Sequence, residues 1–317
     1  MSWSHAFTTP DMTSDIKSVL RRRGLEPKRL GNITDTLYPD DNWQRIMETH
    51  GQFKHPELLP SNMLETYMEY FGKASFRKMI RLLLRNGRQY VEIDRLSPAS
   101  GASTESYLTF LERMLLIDRR GTQVRLTREI ANLGPSLEHY VAELCERHLR
   151  GSAEWGVLLE NVPRSGGDYD VLAWLEPSLI YVECKATSRT ANIEDRELRE
   201  YLQRSVELAP DLAILLIDTD EKLDKFVECR INPILRESVD TRAIANHEIS
   251  LHPDYPGIFF GFSRIYVTNS KKTILSQLQK CLQHYYAHVK GLAMWSKPYL
   301  SQESINFTNA PLRQERE

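Results

Sequence analysis

Residues 168–185 read Asp168-Tyr169-Asp170-Val171-Leu172-Ala173-Trp174-Leu175-Glu176-Pro177-Ser178-Leu179-Ile180-Tyr181-Val182-Glu183-Cys184-Lys185. Two apolar runs, Val171 to Leu175 and Leu179 to Val182, flank Glu176-Pro177-Ser178. Proline presets a turn dihedral and removes a strand donor, so the segment reads as an antiparallel hairpin. With the turn centred between Glu176 and Pro177, Asp170 lies opposite Glu183. Directly opposed residues have β-carbons about 5 Å apart. Two carboxylates that close repel, and a half-buried pair needs either a proton or a cation between them. Lys185, two residues beyond Glu183, shares its face. The pattern predicts a site for a hard divalent cation with oxygen ligands, beside an ammonium able to hold or activate a water.

Loose Asp…Glu-x-Lys spacing is common by chance, and its bland reading is a surface hairpin with a salt bridge. What raises it here is context, because acidic residues are depleted from strands and these sit in or beside two strongly apolar ones. Asp168 shares the strand face of Asp170 and is a rival ligand. Cys184 alternates with its neighbours, so its thiol points away and only its carbonyl is available to a cation.

The segment resembles the PD-(D/E)XK, or restriction-endonuclease-like, nuclease superfamily over roughly residues 134 to 220, about a quarter of the chain. Gly134-Pro135-Ser136-Leu137-Glu138-His139-Tyr140-Val141 is similar to the family's first helix, and Glu160-Asn161-Val162 to the end of its first strand. Asp170 and Glu183-Cys184-Lys185 match its Asp and Glu-x-Lys. Glu197 to Leu208 reads as the covering helix and Leu212 to Asp218 as a buried parallel-type strand. Where the family often has a proline before its Asp, this chain has Gly167, Asp168 and Tyr169. Glu143 competes with Glu138 for the helix position. The resemblance implies an α/β fold with a restriction-endonuclease-like core, a mixed sheet flanked by helices. It implies a metal-dependent phosphodiesterase in which Asp170, Glu183 and the Cys184 carbonyl hold Mg²⁺, with Mn²⁺ able to substitute. Glu138 would orient a water, and Lys185 would position it and help deprotonate it or stabilise the phosphorane.

The chain has 317 residues, 41% hydrophobic and 26% charged, an ordinary globular composition. No apolar run approaches the roughly 20 residues that span a bilayer, and Met-Ser-Trp-Ser-His is no secretory signal. The four cysteines (145, 184, 229, 281) are too scattered for a zinc or disulfide pattern. A cytoplasmic protein without membrane contact is the expectation. Residues 71–150 hold 14 Lys and Arg against 9 Asp and Glu, and residues 151–235 hold 9 against 17, so phosphate attraction is expected from the first region.

Four units are expected: a helical docking region over 1–72, a second module over 73–130, the nuclease-like unit over 131–300, and a flexible tail over 301–317. Helices are expected at Ser14 to Arg23 and Met63 to Tyr70. In the second unit Ser75 caps a helix to Leu84, Val91-Glu92-Ile93 is extended, Asp94 to Leu96 begins a small helix, and Ser103 or Thr104 caps a helix to Leu116. A hairpin over 116–126 follows. This order resembles the winged helix-turn-helix superfamily. The recognition-helix candidate is poor in donors, carrying Glu105, Glu112 and only Arg113. The nucleic-acid candidates are instead the stripe Arg77, Arg81, Arg85 and Arg88 with Lys78, and the wing residues Arg119, Arg120 and Arg125. A solvated surface, or a dimerisation or docking module, is the competing reading.

Further on, Ile265 to Thr268 reads as a strand and Thr273 to Val289 as a long amphipathic helix. Tyr201 and Gln203 could brace the site, and His284, His288, Tyr285 and Tyr286 could touch nucleic acid or simply pack. The leading expectation is a DNA endonuclease, with RNA still open as substrate, acting as a homodimer or with a partner subunit. By resemblance alone it would serve restriction or anti-phage defence. The alternatives are a non-cleaving nucleic-acid-binding regulator and a subunit of a larger complex that cuts only once activated.

Overall fold

The computed structural model describes residues 15–29, 31–32, 35–37, 60–96, 101–160, 168–238, 248–261 and 264–289, with backbone alone at 28–29, 60–64, 101–102 and 238. The expected tail over 301–317, the positions Asn161, Val162 and Gly167, and most of 1–59 lie outside these residues.

The chain opens with helix α1 (Ile16–Arg22) and strand β1 (Pro27–Arg29). Helix α2 (Pro60–Gly72) leads into α3 (Ala74–Asn86), in which Phe76, Met79, Ile80 and Leu83 recur at helical spacing and are buried. Gly87, at φ 57°, ends α3 in a conformation that costs glycine little. Then come β2 (Val91–Glu92), a 3₁₀ turn (Ile93–Leu96), helix α4 (Gly101–Arg113), and the hairpin β3 (Ile117–Arg120) with β4 (Gln123–Leu126). These strands form a small sheet in the order β2-β4-β3. Two expected caps are displaced. Ser75 lies inside α3, with its hydroxyl 2.8 Å from that of Tyr107, and α4 starts ahead of Ser103 and Thr104. α4 also stops short of Leu116, because Leu115 turns to φ 55° and Leu116 is buried where the hairpin begins.

Helix α5 (Gly134–Arg147) precedes the meander β5 (Ser152–Leu159), β6 (Tyr169–Leu175) and β7 (Ser178–Lys185). Helix α6 (Asp195–Leu208) crosses to β8 (Leu212–Ile217). A helical stretch over 224–238 follows, then β9 (Ser250–Leu251), β10 (Ile258–Gly261), β11 (Ile265–Asn269) and helix α7 (Ile274–His284), which continues as a π-wound turn through Val289. The large sheet runs β1-β5-β6-β7-β8-β11-β10-β9, so this is a mixed α/β fold. β5, β6 and β7 are antiparallel, whereas β7, β8 and β11 are parallel neighbours. β8, Leu-Ala-Ile-Leu-Leu-Ile, is buried at all six positions, as a parallel strand covered on both faces should be.

Each face has its own apolar layer. Val171, Ala173, Ile180, Val182 and Cys184 pack with Leu137, Val141 and Leu144 of α5. Leu172, Leu179, Tyr181, Leu215 and Ile217 pack with Leu198, Tyr201 and Leu202 of α6 and with Ile16 and Leu20 of α1. The α5 layer runs on without a break into Tyr67, Phe71, Phe76, Met79 and Leu108, so the 73–130 module shares its core with the sheet.

Among the described residues no helix is long and apolar enough to cross a membrane. All four cysteines are free, and only Cys229 is exposed.

Candidate functional site

The β6–β7 hairpin has the register that the sequence predicts: Leu175 pairs with Ser178, Trp174 with Leu179, and the ladder continues to Val171 with Val182. One step further, the same register sets Asp170 across from Glu183. The Asp170 Oδ2 accepts a hydrogen bond of 2.7 Å from the Cys184 amide, which fixes the aspartate at the strand end. The Cys184 side chain packs on the opposite, α5 side of the sheet, as its alternation requires.

Glu183 is 1% exposed and is held by three donors. Its Oε1 lies 3.0 Å from the Lys185 ammonium and 2.8 Å from the Arg204 Nη2. Its Oε2 is 2.8 Å from the same Arg204 nitrogen and also accepts from the Tyr181 hydroxyl. Tyr181 in turn accepts from the Arg204 Nε at 2.9 Å. Lys185 makes a second ion pair, 2.8 Å to Glu197 Oε1, while the other Glu197 oxygen accepts from the Glu194 amide in the capping box of α6. Burial works against the ammonium, but Glu183, Glu197 and Asp170 outweigh it and keep Lys185 above its ordinary value. As it stands Lys185 is a cation held between two carboxylates.

The other two carboxylates have no such support. Burial, then Asp168 and Glu183, push the Glu138 carboxyl on α5 up to about 8. Burial, then Glu183 and Glu138, push Asp170 well above its ordinary value. Lys185 and Arg204 are matched by Glu183 and Glu197, leaving Glu138 and Asp170 without a side-chain cation of their own among the described residues. Asp168 stands beside them, so both aspartates remain candidates. Glu143 points elsewhere, to Arg147 and His139. Of the two α5 candidates, Glu138 is therefore the one at the cluster. Among the described residues no three His, Cys, Asp or Glu side chains lie close enough as they stand to hold a metal ion.

The expected arginine stripe of α3 divides in two. Arg77 is wholly buried: its Nε lies 2.9 Å from Asp218 Oδ2 and its Nη2 2.9 Å from Oδ1. Arg81 reaches the same carboxylate and, at 3.1 Å, the Asp218 carbonyl. Both are therefore structural pairs, unavailable to phosphate. The reason is that α3 packs against the end of β8, where Asp218 follows the apolar strand. Arg85, in the last turn of α3, is exposed; Arg88 is exposed too but lies past Gly87, which ends the helix, so it falls outside the stripe, and Lys78 pairs with Asp220 at 2.9 Å. In the wing, Arg119 pairs with Glu105, and Arg125 lies 3.0 Å from Asp118 and over the Tyr90 ring. Arg120, with 68% of its side chain exposed, is the most available of the three.

Gln203, expected to brace the site, is exposed and pairs with Glu207, because the inward face of α6 belongs to its neighbours. Tyr201 does face inward, with its ring 5.8 Å from that of Tyr181. His284 is buried, 2.6 Å from the Tyr266 hydroxyl, and serves packing rather than a surface.

Sequence reading missed Arg204, Tyr181 and Asp218. Arg204 lay within the buried positions Leu198, Tyr201, Leu202, Ser205 and Leu208, where a cation is out of place without a partner. Arg77, among Phe76, Met79 and Ile80, carried the same signal.

No protein-family model and no curated protein matches the chain. Among solved structures it is similar to the crystal structure of protein VC1899 from Vibrio cholerae, at 14% identity and a TM-score of 0.33, over 65% of this chain. The match covers 52% of that protein, so the chain spans about half its length.

Proposed function

We propose that the protein is a divalent-metal-dependent nuclease that hydrolyses DNA phosphodiester bonds at the strand ends of β6 and β7. One observation carries this reading: two half-buried carboxylates, Glu138 and Asp170, lack a cation of their own while a lysine ammonium is pinned beside them. Buried anions in that state require protons or a positive ion, and carboxylate oxygens suit Mg²⁺ or Mn²⁺. Glu138 and Asp170, with Asp168 adjacent, would hold it. Such an ion supplies Lewis acidity and charge to offset the phosphorane.

The chain's own groups would do the rest. Lys185, fixed by Glu183 and Glu197, offers its remaining donor capacity to a non-bridging phosphate oxygen, where negative charge grows in the transition state. Glu138, once ionised, orients a water toward phosphorus from the α5 side. Exposed Arg85, Arg88 and Arg120 are the candidates for drawing in the phosphate backbone. The order of elements over 73–130, helix, strand, 3₁₀ turn, helix and hairpin, supports a winged-helix reading of that module.

The activated-subunit alternative has one observation in its favour: every acceptor position of Glu183 is occupied. The test is to incubate pure protein with plasmid, linear and single-stranded DNA, and RNA, in Mg²⁺, Mn²⁺ or EDTA. Cleavage of DNA that EDTA stops is the expected result. No cleavage of any substrate in either metal would favour the activated or non-cleaving readings.

A further inference from the structure

An ionised carboxylate offers about four lone-pair positions. On Glu183 two are taken at Oε1, by Lys185 at 3.0 Å and Arg204 at 2.8 Å, and two at Oε2, by Arg204 at 2.8 Å and the Tyr181 hydroxyl. A cation approaching Glu183 finds no free acceptor, although this is the residue that the family resemblance makes a ligand. Arg204 is itself locked in place, because its Nε donates to Tyr181 at 2.9 Å while its Nη2 spans both carboxylate oxygens. Both cations on Glu183 are governed by α6. Arg204 belongs to the helix, and Lys185 is held to it through Glu197, whose other oxygen closes the capping box.

We propose that Arg204 is a positioning residue that occupies Glu183 in the resting protein, so that a divalent cation is held first by Glu138 and Asp170, and Glu183 joins only when Arg204 is withdrawn. The idea rests on the cation-centre reading above and adds a control point to it. A shift of α6 relieves both cations at once, whereas the α5 side of the site stays fixed. It also accounts for a donor set that has the right chemistry and yet does not close around an ion as it stands.

The test measures Mn²⁺ binding to the full chain by electron paramagnetic resonance at pH 8, without nucleic acid. Arg204→Met, which keeps the unbranched apolar stem and removes the guanidinium and its charge, should bind Mn²⁺ at least tenfold more tightly than the parent. Tyr181→Phe, which deletes one contact to Glu183 and the acceptor of the Arg204 Nε and alters the fold least, should bind about threefold more tightly. Adding Asp170→Asn should abolish binding in each background. Affinity unchanged or weakened in both Arg204→Met and Tyr181→Phe, while the parent binds in an Asp170-dependent way, overturns the control point alone. If Asp170→Asn leaves parental binding intact, or no variant binds millimolar Mn²⁺, the cation centre fails and the proposal falls with it.

Discussion

Two buried charge clusters lie at neighbouring strand ends, and they are built in opposite senses. At the end of β8, two arginines from α3 converge on one carboxylate, Asp218, which burial disfavours but Arg77 and Arg81 hold below its ordinary value. At the ends of β6 and β7, Glu138 and Asp170 stand beyond the cations available and are pushed above theirs. The first cluster fastens the 73–130 module to the sheet. The second stores unfavourable charge where a ligand could relieve it. Perturbed carboxylates occur in both, so perturbation alone does not tell the two clusters apart; its direction, with the local charge balance, does. The clusters also touch through the backbone, since the Asp218 amide donates to the Lys185 carbonyl at 2.8 Å.

Removing a carboxylate should have opposite consequences in the two places. Asp218→Asn leaves buried Arg77 and Arg81 without a counterion and should cost about 3–5 kcal/mol. Asp170→Asn keeps an acceptor for the Cys184 amide and relieves repulsion, so in metal-free buffer at pH 8 it should be neutral or stabilising. Urea denaturation of the pair checks this, and equal losses would erase the distinction.

The next effect depends on pH. The folded Glu138 carboxyl, at about 8, lies above its unfolded value of 4.5, so the folded state binds this proton more tightly. Its contribution to stability is complete below the unfolded value and is lost as pH rises through the folded one. After discounting for partial exposure, the loss between pH 5 and 9 should be on the order of 3 kcal/mol. Glu138→Gln should shrink that dependence and leave the share that Asp170 contributes, and millimolar Mn²⁺ should restore the parent at pH 9. A parent whose stability is flat across this range would contradict the assignment.

The smallest effect separates the buried arginines of α3 from the exposed ones at and just past its end. Arg85→Ala and Arg88→Ala should change stability by less than about 0.5 kcal/mol. Each should lower the slope of log DNA affinity against log salt by about 1. Unaltered salt dependence in both would remove α3 from the nucleic-acid interface.

Much of the fold was legible because periodicity and turn chemistry agreed. The Glu176-Pro177 turn and the apolar runs beside it were enough to place Asp170 across from Glu183. The run Leu212 to Ile217 reads as a strand buried on both faces, and all six positions are buried. Helix starts were less legible: Ser75 was read as a cap, but its hydroxyl is used by Tyr107, a residue 32 positions away. The same limit applies to charge. Spacing placed Arg77 and Arg81 with Arg85 on one stripe, but only tertiary packing shows that Asp218 claims the first two. Likewise Glu-x-Lys announced the lysine, whereas the saturation of Glu183 depends on Arg204, brought in by a helix some 20 residues on.

The most direct test is plasmid nicking in Mg²⁺ by the parent, Asp170→Ala and Lys185→Ala, each first shown to be folded by circular dichroism. The account expects the parent to nick DNA and both variants to lose at least a thousandfold in rate. Undiminished nicking by either folded variant would contradict it.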